Sequence, residues 1–332
     1  MLTHFKEKYI GSASFYKRYL CLALPMILQN AITNLVSFLD NIMVGQLGTE
    51  PMSGVAIVNQ LIFVYNLAIF GAVSAASIFG AQYFGKGNHK GHMHSFRFKL
   101  YASLTMTAAT ILLFMTKGST LISLYLTDTT GSGATEAALQ YGLEYLAIMM
   151  IGLIPFAINQ SYATNIKETG QTMIPMIASF AAVGLNAVLD YLLIFGLGPI
   201  PKMGVVGAAL ATVIARYIEA LIVIVWAHTN RAKNRYLEGA YRGFGIPKAE
   251  FKAILIKGLP LMLNEVFWAA GMTTVTQCYS VRGLDVIAGL NIATTITNLF
   301  NIIYIQLGGC ISIIVGQYLG CLLYTSDAAD DL

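Results

Sequence analysis

Apolar stretches of about twenty residues, separated by short polar segments, recur along the chain, a length that crosses the hydrocarbon core of a bilayer as helix. The pattern predicts eight helices, near 17–44, 52–82, 98–116, 138–161, 173–197, 205–228, 253–278 and 286–318. The first is a resident span rather than a signal peptide, because no small-residue cleavage site follows it and polar residues interrupt its apolar core. Pro25, Pro155, Pro175 and Pro260 fall within or at the start of spans, where membrane helices tolerate them.

The apolar pattern also repeats. Residues 25–85 recur without a gap 235 positions later. Leu24-Pro25 returns as Leu259-Pro260, Gly48 as Gly283, Asn66 as Asn301 and Ser77-Ile78 as Ser312-Ile313. Gln82-Tyr83-Phe84-Gly85 returns as Gln317-Tyr318-Leu319-Gly320. Apolar matches come cheaply in such a chain, whereas Pro, Asn, Gly and Gln-Tyr matches at one offset do not. Two complete copies would need roughly 460 to 480 residues, so the 332-residue chain is expected to be a fragment of a duplicated protein. After Gly320 the second copy departs from the first. Cys321 to Leu332 turns acidic and resembles the translation of a sequencing adapter, so 321–332 is set aside as a non-native tail.

Composition agrees with a bilayer environment: 56% of residues are hydrophobic and 11% charged, against about 25% charged in soluble domains. With eight spans, sixteen of the twenty Lys and Arg fall on the side that holds the N-terminus. Lys117, Lys202 and Arg282 lie opposite and Arg216 lies within a helix. That bias places the N-terminus in the cytoplasm, in an inner (plasma) membrane. The net charge of +4 therefore reports topology and not nucleic-acid binding. Six helices precede the repeat, an even number, so both copies enter the membrane in the same direction. The expected fold is an all-α integral membrane protein of parallel duplicated six-helix bundles, the first complete and two helices of the second present. Residues 1–229 form the N-terminal bundle, 230–252 a cytoplasmic linker, and 253–320 the first two helices of the C-terminal bundle. The Gly-Ala-Tyr-Arg-Gly-Phe-Gly run suits a flexible connection. The cysteines sit singly and imply no disulfide framework.

Ionisable and amide residues inside spans are expensive and point to function. Helix 1 carries Asn30, Asn34, Asp40 and Asn41. Helix 5 carries Asn186 and Asp190, four apart on one face. Helix 6 has Thr212, then Arg216 and Glu219, which at a spacing of three are read as a structural ion pair. Helix 7 has Asn264 and Glu265 after Pro260, and helix 8 has Asn291, Asn298 and Asn301, read as inter-helix hydrogen-bond groups. Glu136 and Glu144 are read as solvated. His89, His92 and His94 fit no zinc spacing, so a solvated basic loop is expected there.

The segments LPMILQNAITNLVSFLDNIMVGQLG, LNAVLDYLLIFGLG and MGVVGAALATVIAR, with GLPLMLNEVFW opening the second half, resemble the multidrug and toxic compound extrusion (MATE) family. The resemblance covers residues 15 to 320. It implies twelve helices in two bundles and export of amphipathic or cationic small molecules in exchange for H⁺ or Na⁺, with no cofactor and no enzymatic activity. It also implies a cation site formed by Asp40, Asn186 and Asp190, with Thr212 nearby, and a coupling role for Glu265. The chemistry stands independently. Two carboxylates close together in a poorly solvated bundle need a proton or Na⁺ between them, and hard oxygen ligands suit either. The competing reading is that each Asp simply reaches the membrane interface. A lipid-linked oligosaccharide flippase would want a cationic cavity, and only Arg216 offers one. An intramembrane enzyme would need a nucleophile–base pair or metal ligands at matching depth. A receptor or scaffold leaves the carboxylates unexplained.

Overall fold

The computed structural model describes residues 12–126, 132–196, 201–243, 245–280, 297 and 300–321. Eight helices occupy them: α1 Ala13–Gly45, α2 Thr49–Gly85, α3 His89–Ser123, α4 Ser132–Glu168, α5 Met173–Phe195, α6 Val205–Thr229, α7 Lys248–Ser280 and α8 Phe300–Cys321. No strand occurs among the described residues. Among the described residues, α1 to α6 and α8 are long and apolar enough to cross a membrane.

The helices outrun the apolar stretches that predicted them. α2, α3 and α4 contain 37, 35 and 37 residues. At 1.5 Å per residue each is over 50 Å long, well beyond a hydrocarbon core of about 30 Å. The excess is shared between the two ends, and part of it lies at the end that holds the linker. There α2 runs to Gly85 and α3 begins at His89, capped by Asn88, whose Oδ1 accepts from the Gly91 amide at 2.9 Å. The solvated basic loop expected around the three histidines is therefore not a loop. Only Lys86 to Asn88 separate the helices, and His92, Arg97 and Lys99 are buried. Hydropathy missed this turn because its helical residues are polar.

α2 lies at the centre, packed on α3, α4 and α7, while α4 also packs on α3 and α6, and α5 on α1 and α6. The main core joins Val58, Ile62 and Ile69 of α2 to Met149 and Leu153 of α4, Ile194 of α5 and Ala209 of α6. Small residues permit the close approaches. A Cβ on Gly54 would strike the Ala138 carbonyl and the Gly142 amide, and one on Gly207 would strike the backbone of Leu193. The outer faces expose large apolar side chains, such as Met115 at 71% and Leu112 at 64%. The chain is thus an all-α, multi-pass membrane protein.

The linker differs from the expected flexible connection. Tyr236, Leu237 and Ala240 are buried in a second core with Phe96, Tyr162, Ile166 and Val223. The guanidinium of Arg97 donates to the carbonyls of Ala240 (2.9 Å), Gly245 (2.8 Å) and Gly239 (2.7 Å). Tyr241 stacks on His228 and bonds Tyr162. Burial in this apolar pocket pushes the Tyr236 hydroxyl well above its ordinary pKa. The glycines allow the chain to turn, but packing and a three-carbonyl clamp hold it. α7 starts at Lys248, inside the segment read as linker.

α8 sits against α1 through Leu22, Ala23 and Met26 facing Cys310, Ile313 and Ile314. It crosses α2 at the linker end. There a Cβ on Gly85 would strike the Gln317 carbonyl, and one on Gly320 would strike the Gln82 carbonyl. The repeated Gln-Tyr-x-Gly segments therefore meet each other in a reciprocal contact. Cys321, assigned to the tail, is the last residue of α8, and its thiol lies 3.0 Å from the Gly85 carbonyl. The rest of that tail, and Asn291 and Asn298, lie outside the described residues.

Candidate functional site

Asp40 stands near the far end of α1, one helix-turn before the chain reverses into α2. α1 packs along α5, which brings Asp40 against the α5 face that carries Asn186 and Asp190. The carboxyl groups of Asp40 and Asp190 lie within electrostatic reach of each other, with the Asn186 side chain beside Asp190. Asp190 is 1% exposed and Asn186 6%. Both carboxylate oxygens of Asp190, Oδ1 of Asp40 and Nδ2 of Asn186 are buried without a hydrogen-bond partner. No Lys or Arg forms an ion pair with either Asp among the described residues. The Tyr145 hydroxyl lies within electrostatic reach of both carboxyls and donates to Asn59 Oδ1 at 3.3 Å. Two acids from helices 150 residues apart thus share one poorly solvated pocket with several unmet polar atoms.

The other sequence candidates are placed differently. Thr212 is on α6, which packs on α5, but its hydroxyl donates to the Ala208 carbonyl of its own helix (3.1 Å) and makes no bond to the acids. Glu265 lies within α7, and its side chain is outside the described residues. Arg216 and Glu219 do not form the ion pair that their spacing suggested. Arg216 turns to the Gly152 carbonyl at 3.4 Å and lies 5.2 Å from the Phe156 ring centre. Glu219 accepts from Ser179 of α5, which in turn accepts from Gln29 of α1 at 2.7 Å. Partners on neighbouring helices outcompete the local pair. Glu136 and Glu144 are exposed, as expected of solvated groups. No group of His, Cys, Asp or Glu able to hold a metal ion gathers among the described residues.

Sequence reasoning missed a second polar cluster, at the linker end. Lys99 of α3 and Glu168 of α4 are both 0% exposed and form an ion pair. Glu168 also accepts from Ser77 of α2, and His92 Nε2 lies 3.2 Å from Glu168 Oε2. Lys99 donates to Asn165 Oδ1 at 2.5 Å. Gln317 of α8 donates to the Glu168 backbone carbonyl at 2.7 Å, and Arg18 of α1 donates to Gln317 Oε1 at 2.6 Å. A Cβ on Gly80 would collide with the Glu168 carboxylate, so the bare glycine makes room for it. The available signal was a Lys and a Glu at the ends of apolar runs. Their pairing across 69 residues was not visible from spacing.

Comparison with known proteins completes the picture. The MatE family model matches residues 25–192. A "Probable multidrug resistance protein NorM" of Thermotoga maritima is 27% identical over 309 residues, covering 92% of this chain and 63% of that protein. A protein of the same name from Oceanobacillus iheyensis is 26% identical over 305 residues, covering 92% and 66%. The chain thus spans somewhat under two thirds of the length of these relatives. Among solved structures, MATE in the bent conformation superposes with a TM-score of 0.80 at 23% identity, covering 92% of this chain and 66% of that one. A MOP superfamily transporter from Pyrococcus furiosus superposes with 0.76 at 22% identity, covering 92% and 65%. At such identities the superpositions speak for the fold alone. The family match covers just over half of the chain, including both acids of the pocket, and the chain belongs to the MatE family.

Proposed function

We propose that this chain is part of a secondary active multidrug exporter that exchanges amphipathic or cationic small molecules for H⁺ or Na⁺ bound at Asp40, Asn186 and Asp190. One observation carries the reading: two neighbouring carboxyls, Asp190 buried and Asp40 partly so, stand among unmet polar atoms with no basic partner among the described residues. Two such groups cannot both stay ionised in a bilayer without a cation between them. A shared proton or a Na⁺ held by carboxylate and amide oxygens restores neutrality. Thr212 would need to turn from Ala208 to add its oxygen. Loss of the cation leaves a net negative pocket, which favours a cationic compound and a different packing of α1 against α5. Exchange follows from competition for that charge, and the two ligands need not touch.

Two further observations support alternating access. The reciprocal α2–α8 contact and the Arg18–Gln317–Glu168 chain close the linker end between the first and second copies of the repeat. The excess of Lys and Arg at that end supports reading it as the cytoplasmic one, with the N-terminus inside. A pocket closed inside and loaded from outside is the state expected of an exporter that takes up its coupling ion.

The test is neutralisation of each acid in the full-length protein. Asp40→Asn and Asp190→Asn keep size and hydrogen bonding and remove charge. Each is expected to abolish drug-induced proton or Na⁺ release and efflux from proteoliposomes while membrane insertion stays normal. Efflux against a gradient in both variants would overturn the assignment.

A further inference from the structure

Glu219 of α6 carries an acid into the span, and the exchange proposed above does not use it. It is tied to α5 and α1, the two helices that bear the acid pair. Its carboxylate accepts from the Ser179 hydroxyl, which in turn accepts from Gln29 Nε2 at 2.7 Å. The directions of these bonds are forced. An ionised carboxylate only accepts, so the single O–H of Ser179 is engaged by Glu219, and Gln29 must present its amide N–H to Ser179. The carbonyl oxygen of Gln29 then has no share in the chain, and it is buried without a hydrogen-bond partner. A buried acceptor left open is costly unless a donor or a cation meets it.

The cluster lines up with the acid pair. Gln29 stands 11 residues before Asp40 on α1, and Ser179 stands 11 before Asp190 on α5. Eleven residues are close to three full turns, so both steps return to the same helix face, about 16 Å nearer the start of each helix. Asn186 lies between Ser179 and Asp190 on that face of α5. Glu219 differs from the acid pair in its neighbours. Lys167 of α4 and Arg216 of α6 lie within electrostatic reach of it, although neither pairs with it among the described residues. One carboxylate that faces two bases at a distance holds a cation less tightly than two carboxyls without a basic partner. Carboxylate, hydroxyl and amide oxygens together suit a hard monovalent cation. We infer that Gln29, Ser179 and Glu219 form a second, weaker site for the coupling ion, a hydrated proton or Na⁺, between the acid pair and the linker end. An ion moving inward meets it after the acid pair, and weak binding lets it leave. Its place in the exchange rests on the function proposed above, but binding at Glu219 does not.

Infrared difference spectroscopy of the purified full-length protein in detergent tests the site. NaCl is titrated against choline chloride at fixed pH, and acid is titrated without Na⁺. Subtracting the Glu219→Gln spectra isolates the carboxylate bands of Glu219. Two responses are expected in the arm of the ion that binds. The one at lower ion concentration should vanish in Asp40→Asn and in Asp190→Asn. The one at higher concentration should survive in those variants and vanish in Glu219→Gln. Gln29→Leu should move its midpoint to about tenfold higher ion concentration, the loss expected for one oxygen on a charged ligand, and leave the first response in place. Leu is favourable in a spanning helix, so this variant probes the site in a protein that still inserts. Cation responses that stay parental in Glu219→Gln would overturn the site. So would a parental midpoint in Gln29→Leu, which would mean that water alone meets the Gln29 oxygen. A response at Glu219 tighter than that of the acid pair would overturn the order of the two sites. None of these readouts requires transport, and the two responses are scored separately, so failure at Glu219 is distinct from failure at Asp40 and Asp190.

Discussion

Replacing Lys99 by Met removes one charge from an ion pair whose two members are both 0% exposed. Met keeps the length of the aliphatic stem, so packing changes little and the electrostatic loss is isolated. Glu168 would then hold its charge with only the Ser77 hydroxyl and His92 beside it. Breaking a buried pair from one side costs about 3–5 kcal/mol, because the remaining charge stays desolvated. His92, 3.2 Å away, offers partial relief by taking up a proton, which places the expected loss near the lower end, about 3 kcal/mol. Glu168→Gln should also destabilise, since it strands the ammonium of Lys99. The double variant leaves no charge stranded. It should therefore be more stable than the sum of the single losses predicts, by about 2–3 kcal/mol. Reversible unfolding in mixed SDS micelles, followed by helical circular dichroism, measures all four proteins. A single Lys99→Met loss under about 1 kcal/mol, or strict additivity in the double variant, would refute the idea that this pair is energetically coupled.

Three further outcomes follow from the same geometry. Tyr65→Phe removes a hydroxyl that meets Thr107 Oγ1 at 2.8 Å and donates to the Leu153 carbonyl at 3.0 Å, so it should cost about 1–2 kcal/mol in the same unfolding assay. Arg97→Lys replaces a fork that binds three linker carbonyls with a single ammonium, and limited proteolysis between residues 230 and 247 should speed up about tenfold while the bundle stays intact. Neutralising Asp40 or Asp190 should stop ion-coupled efflux without lowering the amount of inserted protein, as measured by membrane fractionation.

Several features of this fold were legible because they are local. A run of about twenty apolar residues can satisfy its backbone in lipid only as a helix, so the spans followed from hydropathy. The spacing of Asn186 and Asp190 placed them on one face whatever surrounded them. The reach of α2, α3 and α4 past the membrane was not legible, since helix outside lipid can be polar. His92 and Lys99 looked like solvated charges for that reason. Arg216 and Glu219 show the opposite error: spacing of three permits a pair, and the groups offered by α4 and α5 decided against it.

The sequence by itself determined the helices, the internal duplication, and that acids and amides stand inside spans where charge is expensive. Tertiary structure decided which of them meet. In lipid, the face that packs on a neighbour and the face that touches acyl chains are both apolar, so the pattern along one helix does not name its partner. Small residues such as Gly54 and Gly207 set how closely the helices approach, and the resulting contacts put Asp40 against Asp190 and Lys99 against Glu168. Separations of 150 and 69 residues leave no periodic trace, and only packing closes them.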